Sequence, residues 1–334
     1  MLRVVVRRLL QMVLTLFALS VLMFAWLRNL PGGPAIAMLG ERATPERVAA
    51  LNHVFGYDQP VWVQYGRWLG RMLTGDFGTS TSSKMAVARE LSQAFPGTIE
   101  LSFFALAFAV ALGVPLGYIA ARYQGRPLDS GVIIGTLVGV SVPVFFLGYL
   151  LKAGVAVRLG WLPPSGRQSA ALDATHVTNF FVLDGLLTRE WDAAADAFMH
   201  LLLPALALGT IPLAVIVRIT RASVLDVLNE DYVRTAEAKG LRRQTIRTRH
   251  VLRNALLPVV TAIGLQIGLL LAGAVLTETV FVFRGVGWLL ADGIQERDYA
   301  RLQAIILLAA VVYVFVNLIV DLSYALIDPR VRVK

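Results

Sequence analysis

Residues able to support metal-dependent or nucleophilic chemistry are few in this sequence and widely separated. No histidine has another histidine or a carboxylate at a metal-binding spacing such as H-E-x-x-H; the four are His53, His176, His200 and His250. The chain has no cysteine, which excludes disulfides, thiolate catalysis and cysteine-based metal centres. The motifs G-x-S-x-G and S-x-x-K are absent as well. We therefore predict that the chain is not an enzyme and holds no cofactor or metal ion.

The sequence also lacks the means to supply energy for transport. The phosphate-binding motif G-x-x-x-x-G-K-[ST] does not occur, so the chain should not hydrolyse ATP by itself. An ion-coupled carrier usually places ionisable residues deep in its membrane crossings, but here only Glu100, Glu278 and Asp321 approach the ends of apolar runs. If the chain takes part in active transport, we expect its energy to come from another subunit. A stand-alone ion-coupled carrier or channel is the alternative.

Three polar residues inside the apolar runs are candidates for lining a pathway or facing a subunit interface: Gln266, Asn317 and His200. His200 lies near one end of its run. A histidine at that position is more often interfacial or packed than part of a pathway. Both interpretations stay open at this point.

The elements that carry these residues are apolar runs long enough to cross a bilayer. Of the 334 residues, 57% are hydrophobic and 16% are charged. Six runs lack Asp, Glu, Lys and Arg and reach the roughly 20 residues that a crossing needs; they are approximately 9–27, 101–121, 131–151, 197–217, 255–276 and 302–320. Runs of this length predict helices rather than barrel strands. We expect an all-α membrane protein with six transmembrane helices, the first retained as an anchor rather than cleaved as a signal peptide.

Basic residues are unevenly distributed between the connecting segments. If the N-terminus is cytoplasmic, the inside segments hold 17 basic and 7 acidic residues, and the outside segments hold 14 and 15. The inside segments are then 1–8, 122–130, 218–254 and 321–334, and the outside segments are 28–100, 152–196 and 277–301. The excess of Lys and Arg predicts that both termini are cytoplasmic. Because this distribution accounts for the net charge of +9, nucleic acid is not an expected partner.

The first outside segment is too long for a simple connection. Thr44-Pro45 predicts a helix start and Gly56 its end, and a second amphipathic helix is expected over 61–72. A third short helix is expected over 84–95. We therefore divide the chain into a tail with the first crossing (1–30), an extracytoplasmic helical cap (31–97), a membrane core (98–327) and a cytoplasmic tail (328–334).

Glycine and proline positions within the runs predict helix packing and breaks. Glycines at four-residue spacing are typical of close helix contacts in membranes; the steps are Gly113–Gly117, Gly131–Gly135–Gly139 and Gly264–Gly268. Prolines inside the runs are expected to interrupt their helices; they are Pro115, Pro143, Pro204 and Pro212.

The loop 218–254 contains a basic, helix-prone stretch. Asp231 is expected to cap a helix over 232–238, which Gly240 ends. A second helix over 242–254 carries a basic surface, and Pro258 introduces the next run. Positive charge alone fits a patch that binds anionic lipid. The acid and glycine boundaries and the alanine-lined helix instead favour docking to another protein.

This stretch resembles the cytoplasmic signature of the inner-membrane permease subunits of ABC importers for dipeptides, oligopeptides and nickel. The signature reads Glu-Ala-Ala, three residues, then Gly, and its matching positions here are Arg234, Thr235, Ala236 and Gly240. Arg and Thr replace the usual Glu and Ala, as is typical of the peptide branch, which reads like the RTAEAKG and RNALLPV found here.

Further motifs of the same family occur in the same order along nearly the whole chain. They are Leu30–Pro34, Gln64–Trp68, Gly75–Gly78, Pro96–Leu101, Thr277–Phe281, Gly285–Gly287, Arg297–Tyr299 and Asp328–Arg332. Each is weak alone, but their order together is highly specific.

The resemblance implies the type I ABC importer permease fold in the bacterial cytoplasmic membrane. It implies a second homologous permease, two ATPase subunits or domains that bind ATP and Mg²⁺, and an extracytoplasmic substrate-binding protein. The short helix would be the coupling helix, docking on an ATPase through Tyr232, Arg234, Thr235, Ala236, Glu237, Ala238, Lys239 and Gly240. Peptides are the expected substrates, and glutathione-like compounds and nickel chelates remain open.

Overall fold

The regular elements of this computed structural model are helices throughout the residues that it describes, which are 2–29, 35–36, 39–40, 43–56, 58–172 and 174–327. The long helices are α1 (Leu2–Arg28), α4 (Val87–Arg122), α8 (Trp191–Leu228), α11 (Arg253–Phe281) and α13 (Tyr299–Ile327). The shorter ones are α2 (Pro45–Phe55), α3 (Val61–Leu73), α5 (Pro127–Ser141), α6 (Val144–Leu151), α7 (Phe181–Thr188), α9 (Asp231–Ala238), α10 (Arg243–Thr245) and α12 (Val286–Gln295). Wider π-helical turns extend α6 over Lys152–Arg158 and α10 over Ile246–Leu252. The all-α prediction is confirmed for the described part of the chain.

Five helices are long and apolar enough to cross a membrane, judged by length and composition. The number rises to seven if each of two bent helix pairs is one span. One pair is Pro127–Ser141 with Val144–Arg158, bent by 98°, and the other is Ala274–Phe281 with Val286–Gln295, bent by 79°. The motifs at 30–34 and 328–332 and the predicted tail 328–334 lie outside the described residues.

Contacts divide the chain into two compact units, which we call the terminal unit (Met1–Pro96 and Arg284–Leu318) and the central unit (Gly97–Phe283 and Ile319–Lys334). In the terminal unit, α1 packs on α3 through Met23, Phe24 and Trp68. The indole Nε1 of Trp68 donates to Gln303 Oε1 at 2.8 Å, which ties α3 to α13. A second cluster buries Val87 and Leu91 against Val286, Leu289 and Ile305.

The central unit is built around α8, whose apolar window is the most buried of the five spans, at 67%. Small residues allow α4 to approach α8 closely. A Cβ on Gly113 would lie 2.7 Å from Ile216 Cγ2, and one on Gly117 would lie 2.6 Å from Thr220 Cβ. The predicted close packing at this glycine step is therefore confirmed.

The glycine step in α5 is different. Added Cβ atoms at Gly131, Gly135 and Gly139 would meet no atom within 4 Å. The expectation that they form close contacts is therefore not met within the described part of the chain. The buried side of α5 instead carries Asp129 and Thr136, which lie two helical turns apart.

The predicted helices of the first outside segment are largely confirmed. Thr44 caps α2 by accepting from the N–H of Arg47 at 3.4 Å, Pro45 is the first helical residue, and Gly56 ends the helix with φ +66°. The predicted second helix is α3. The third was predicted to be separate from the second crossing, and this is wrong: both are part of α4. The helix continues through Pro96 because buried residues precede and follow the proline. Leu91 and Ala94 are buried before it, and Leu101 and Ala105 are buried after it.

The prolines have unequal effects. Pro143 separates α5 from α6, as predicted. Pro204 and Pro212 lie within the unbroken α8, where both are buried, and Pro115 lies within α4. Tertiary packing therefore keeps these helices continuous although each proline removes one backbone donor.

Candidate functional site

The short helix α9 and its glycine turn occupy the middle of the loop that the sequence singles out. The N-cap is Glu230, so the predicted cap at Asp231 is wrong by one residue. The Asp231 side chain is 98% exposed and lies 3.8 Å from Arg234. At the other end, Gly240 takes φ +72° and donates to Glu237 O at 2.9 Å, while Leu241 donates to Ala236 O at 3.3 Å. This left-handed end favours glycine and confirms the predicted turn.

One face of α9 is buried against the chain's own helices. Val233 and Ala236 are 2% and 5% exposed, and their spacing of three residues places them on the same side. They share a hydrophobic cluster with residues of α4, α8, the second π-helical turn and α11: Ala121, Val224, Ile246, Val251 and Ala255. The short helix is thereby anchored to the ends of three long helices.

Hydrogen bonds from Tyr232 add a second attachment. Its hydroxyl accepts from Asn254 Nδ2 at 2.9 Å and donates to the carbonyl of His250 at 3.4 Å. Asn254 also donates to His250 O at 2.9 Å. These bonds join the short helix to the basic segment. Because Tyr232 is 40% exposed, it also contributes to the surface.

The opposite face of α9 is open. The exposed residues among those predicted to dock are Tyr232, Arg234, Thr235, Glu237, Ala238, Lys239 and Gly240, with Leu241 beside them. Ala236 is the exception, because it faces inward. The exposed set combines both signs of charge with small side chains, which suits insertion into a complementary groove.

The segment that follows α9 differs from its prediction. The basic helix expected over 242–254 does not end before the next run, because α10, the π-helical turn and α11 follow one another without a break from Arg243 to Phe281. Pro258 therefore lies inside a helix rather than introducing one. The basic side chains on this segment are largely exposed; they are Arg242, Arg243, Arg247, Arg249 and Arg253.

The three candidate pathway residues have different surroundings. His200 is 5% exposed, and its Nδ1 lies 2.9 Å from Asp196 O and 3.4 Å from Asp196 Oδ2. Gln266 is 6% exposed on the side of α11 that carries Val259, Ala262 and Leu270, and its Oε1 has no hydrogen-bond partner among the described residues. Asn317 is half-buried in α13 of the terminal unit. For His200, the geometry favours the packed interpretation.

A buried polar network lies at the end of α11 distant from α9. We call it the Arg167 network, and it comprises Thr98, Glu100, Arg167, Asp184 and Glu278, all less than 8% exposed. The Arg167 guanidinium donates to Asn179 O at 2.7 Å and lies 3.4 Å from Glu100 Oε2. It also stacks over the Phe181 ring at 3.8 Å.

The carboxylates of the Arg167 network hold neighbouring backbone in place. Glu100 accepts from the N–H of Val182 at 2.9 Å, and Glu278 accepts from the Thr98 hydroxyl at 2.6 Å. Asp184 accepts from three successive N–H groups, those of Val177, Thr178 and Asn179. The network therefore connects α4, α7, α11 and the loop before α7.

A second network lies in the terminal unit and comprises Ser80, Glu90, Asp292, Asp298 and Arg301. Arg301 forms a fork with Glu90, with Nε at 3.0 Å and Nη2 at 2.9 Å, and its Nη1 lies 2.5 Å from Asp292. Asp298 accepts from the Ser80 hydroxyl at 2.6 Å and from the N–H of Thr81 at 2.8 Å. Burial raises the pKa of Asp298, but these hydrogen bonds and Arg301 outweigh it and hold the pKa below its ordinary value.

Neither network was predicted from the sequence, although several of their residues belong to the family motifs. Thr98 and Glu100 belong to the motif at 96–101, Glu278 to the motif at 277–281, and Asp298 to the motif at 297–299. The signal was the presence of acids at the ends of apolar runs. Their partners could not be recognised because Arg167 is 67 residues from Glu100. No group of three His, Asp or Glu suited to a metal ion occurs among the described residues.

Long apolar helices with a short helix anchored at the ends of three of them are typical of a membrane-embedded protein. The chain belongs to the family of inner membrane components of binding-protein-dependent transport systems, whose model matches residues 113–333. The model of the N-terminal part of these membrane components matches residues 1–102. The chain is thus a multi-pass membrane subunit of a transport system and not itself an enzyme.

Individual relatives align over essentially the full length. The di/tripeptide transport system permease protein of Pseudomonas aeruginosa is 45% identical, with 99% of each chain covered. The dipeptide transport system permease protein of Escherichia coli K12 is 44% identical, with 100% of each covered. The glutathione transport system permease protein of the same organism is 39% identical, again over 100% of each.

Proposed function

We propose that this chain is a transmembrane permease subunit of an ATP-driven importer for di- or oligopeptides. The observation that carries the proposal is α9, whose buried face is fixed to three long helices while its other face is open. A helix fixed in this way can pass a displacement from a docked partner to the membrane core. The full-length relatives that transport dipeptides and di/tripeptides support the peptide as substrate.

The proposed partners follow from the family. Two cytoplasmic ATPase subunits or domains bind ATP and Mg²⁺, and the coupling helix α9 inserts into one of them. A second homologous permease completes the translocation path, and an extracytoplasmic binding protein delivers the peptide. Gln266 and Asn317 are proposed to face the path or the interface between the permeases. No nucleic acid is proposed as a partner.

The proposed topology has six crossings, both termini in the cytoplasm and the type I importer fold, in the bacterial cytoplasmic membrane. Six crossings result if the bent pair Pro127–Arg158 is one crossing in addition to the five long helices and α12 does not cross. The cap at 31–97 and the segment 277–301 would then be extracytoplasmic and available to the binding protein. The loop 218–254 would face the ATPases.

A substitution on the open face of α9 tests the docking directly. A238W places a large side chain where the exposed Ala238 would enter the ATPase groove. We expect at least about a tenfold loss of co-purified ATPase, equivalent to about 1.4 kcal/mol, and a matching loss of ATP-driven dipeptide uptake. The amount of permease in the membrane should not change.

The matched control is T248W, which adds the same side chain at an exposed position of the basic segment outside the proposed docking face. It should retain both ATPase binding and uptake. If A238W binds the ATPases and transports like T248W, then α9 does not dock on them.

A further inference from the structure

An ion pair joins α5 to α8 near the end of α8 that leads into α9. Arg221 Nε donates to Asp129 Oδ1 at 2.6 Å, and Nη2 donates to Oδ2 at 2.8 Å. The two parallel bonds form the fork geometry that fixes distance and orientation together. The N–H of Gly125 also donates to Asp129 Oδ2, at 3.0 Å.

The environment of this pair separates it from an ordinary surface contact. The Asp129 and Arg221 side chains are 7% and 27% exposed. Exposed ion pairs hold geometry weakly because water screens them and both side chains move freely. Here the carboxylate is buried and receives three donors, so its position is fixed relative to α8.

Arg221 lies on the same part of α8 that holds α9. Val224, Leu225 and Val227 follow it within two turns, and they pack in the cluster that contains Val233 and Ala236. A displacement of α9 therefore acts on this end of α8. The fork from Arg221 passes the displacement to Asp129 at the start of α5.

Helix α5 is well placed to respond to such a displacement. Its partner α6 begins only after the break at Pro143, where the pair bends by 98°. Cβ atoms added at Gly131, Gly135 and Gly139 would meet no atom of the described residues within 4 Å, so α5 has room beside these glycines. The ion pair therefore holds the end of a helix that is open along one side and bent at its other end.

We propose that Asp129 and Arg221 are positioning residues that make α5 follow the coupling helix α9 during transport. This inference rests on the proposed function, because it assumes that α9 docks on an ATPase. The ratio of transport to ATP hydrolysis then depends on the contact between Asp129 and Arg221, which lies outside the docking face.

The test compares D129N and R221Q with the wild-type chain in the complete importer, reconstituted in proteoliposomes with its binding protein. Dipeptide uptake and ATP hydrolysis are measured in the same preparation. We expect ATPase assembly to persist and uptake per ATP hydrolysed to fall by roughly 3- to 30-fold, the range of coupling changes caused by residues between sites. R221K should lie between, because an ammonium group cannot form the fork.

The control is R218Q, which makes the same change one turn earlier on α8 at an exposed arginine. It should leave uptake per ATP unchanged. Unchanged uptake per ATP in D129N and R221Q overturns the proposal, as does a parallel loss of assembly, uptake and hydrolysis, which indicates a purely structural role. If α9 does not dock on the ATPases, A238W retains them. That result is measured independently of the uptake per ATP hydrolysed in D129N and R221Q.

Discussion

Arg167 shows how a single residue organises one end of the central unit. The buried carboxylate of Glu100, the aromatic ring of Phe181 and the backbone carbonyl of Asn179 surround its guanidinium, which connects the loop before α7 to α4. Gly97 makes room for it, since a Cβ there would lie 2.8 Å from Arg167 Cζ. Burying charges is costly, so such a pair contributes geometry more than net stability.

Removing the Arg167 charge alone should therefore destabilise the chain more than removing the charges of Arg167 and Glu100 together. R167M leaves Glu100 buried without its cation, and we expect a cost of about 3–5 kcal/mol. The double variant R167M/E100Q should recover part of this loss because the buried charge is gone. The apparent melting temperature of the purified chain, followed by tryptophan fluorescence, measures both.

The exposed Arg158 provides the matched control, since R158M makes the same change without uncovering a buried carboxylate. If R167M and R158M have the same melting temperature, the Arg167 network does not stabilise this end of the central unit.

At the residue scale, features with a local sequence signal could be predicted, whereas pairs of side chains distant in sequence could not. Neighbours within a few positions predict the Gly240 turn and the Thr44 cap. They also show that no histidine has a potential metal-binding partner at a suitable spacing. The inward position of Ala236 also has a local signal, because Val233 lies three residues before it. The partners of Arg167, Arg221 and Arg301 have no such signal, because they depend on which helices become neighbours.

At the element scale, the same glycine pattern has two different surroundings. The step in α4 lies against α8, whereas the step in α5 faces open space. Spacing alone indicates that a helix can be approached closely, but it does not say by which partner. The continuity of α4 and α11 was missed for a related reason, since prolines that end helices in water are tolerated where packing holds both sides.

Valine substitutions at Gly117 and Gly131 distinguish the packing at these two glycine steps. In G117V the new side chain would collide with Thr220 and with the carbonyl of Val217, which lie 2.6 and 2.7 Å from a Cβ at that position. We expect overpacking to cost about 1–3 kcal/mol and to lower both yield and melting temperature. G131V should leave the chain purified alone unchanged.

Equal losses in the two variants would mean that α5 is packed along its glycine side in the isolated chain. Equal tolerance would instead mean that α4 and α8 are not in close contact at Gly117.

At the scale of the whole molecule, composition was sufficient to predict the class but not the number of crossings. Apolar runs of about 20 residues without charge predict membrane helices. The two bent pairs leave the span count between five and seven, because length and hydropathy do not show whether a broken helix crosses or turns back. The function rests on the family match together with the anchored helix α9, rather than on any catalytic group.

We propose that ATP hydrolysis on partner subunits drives peptide through a path to which this chain contributes. The experiment is uptake of a labelled dipeptide into proteoliposomes that contain either the complete importer or this chain alone. We predict uptake only for the complete importer, with ATP and the binding protein present. Accumulation of the dipeptide by the chain alone, driven by a proton or sodium gradient without ATP, would contradict the claim and establish an ion-coupled carrier.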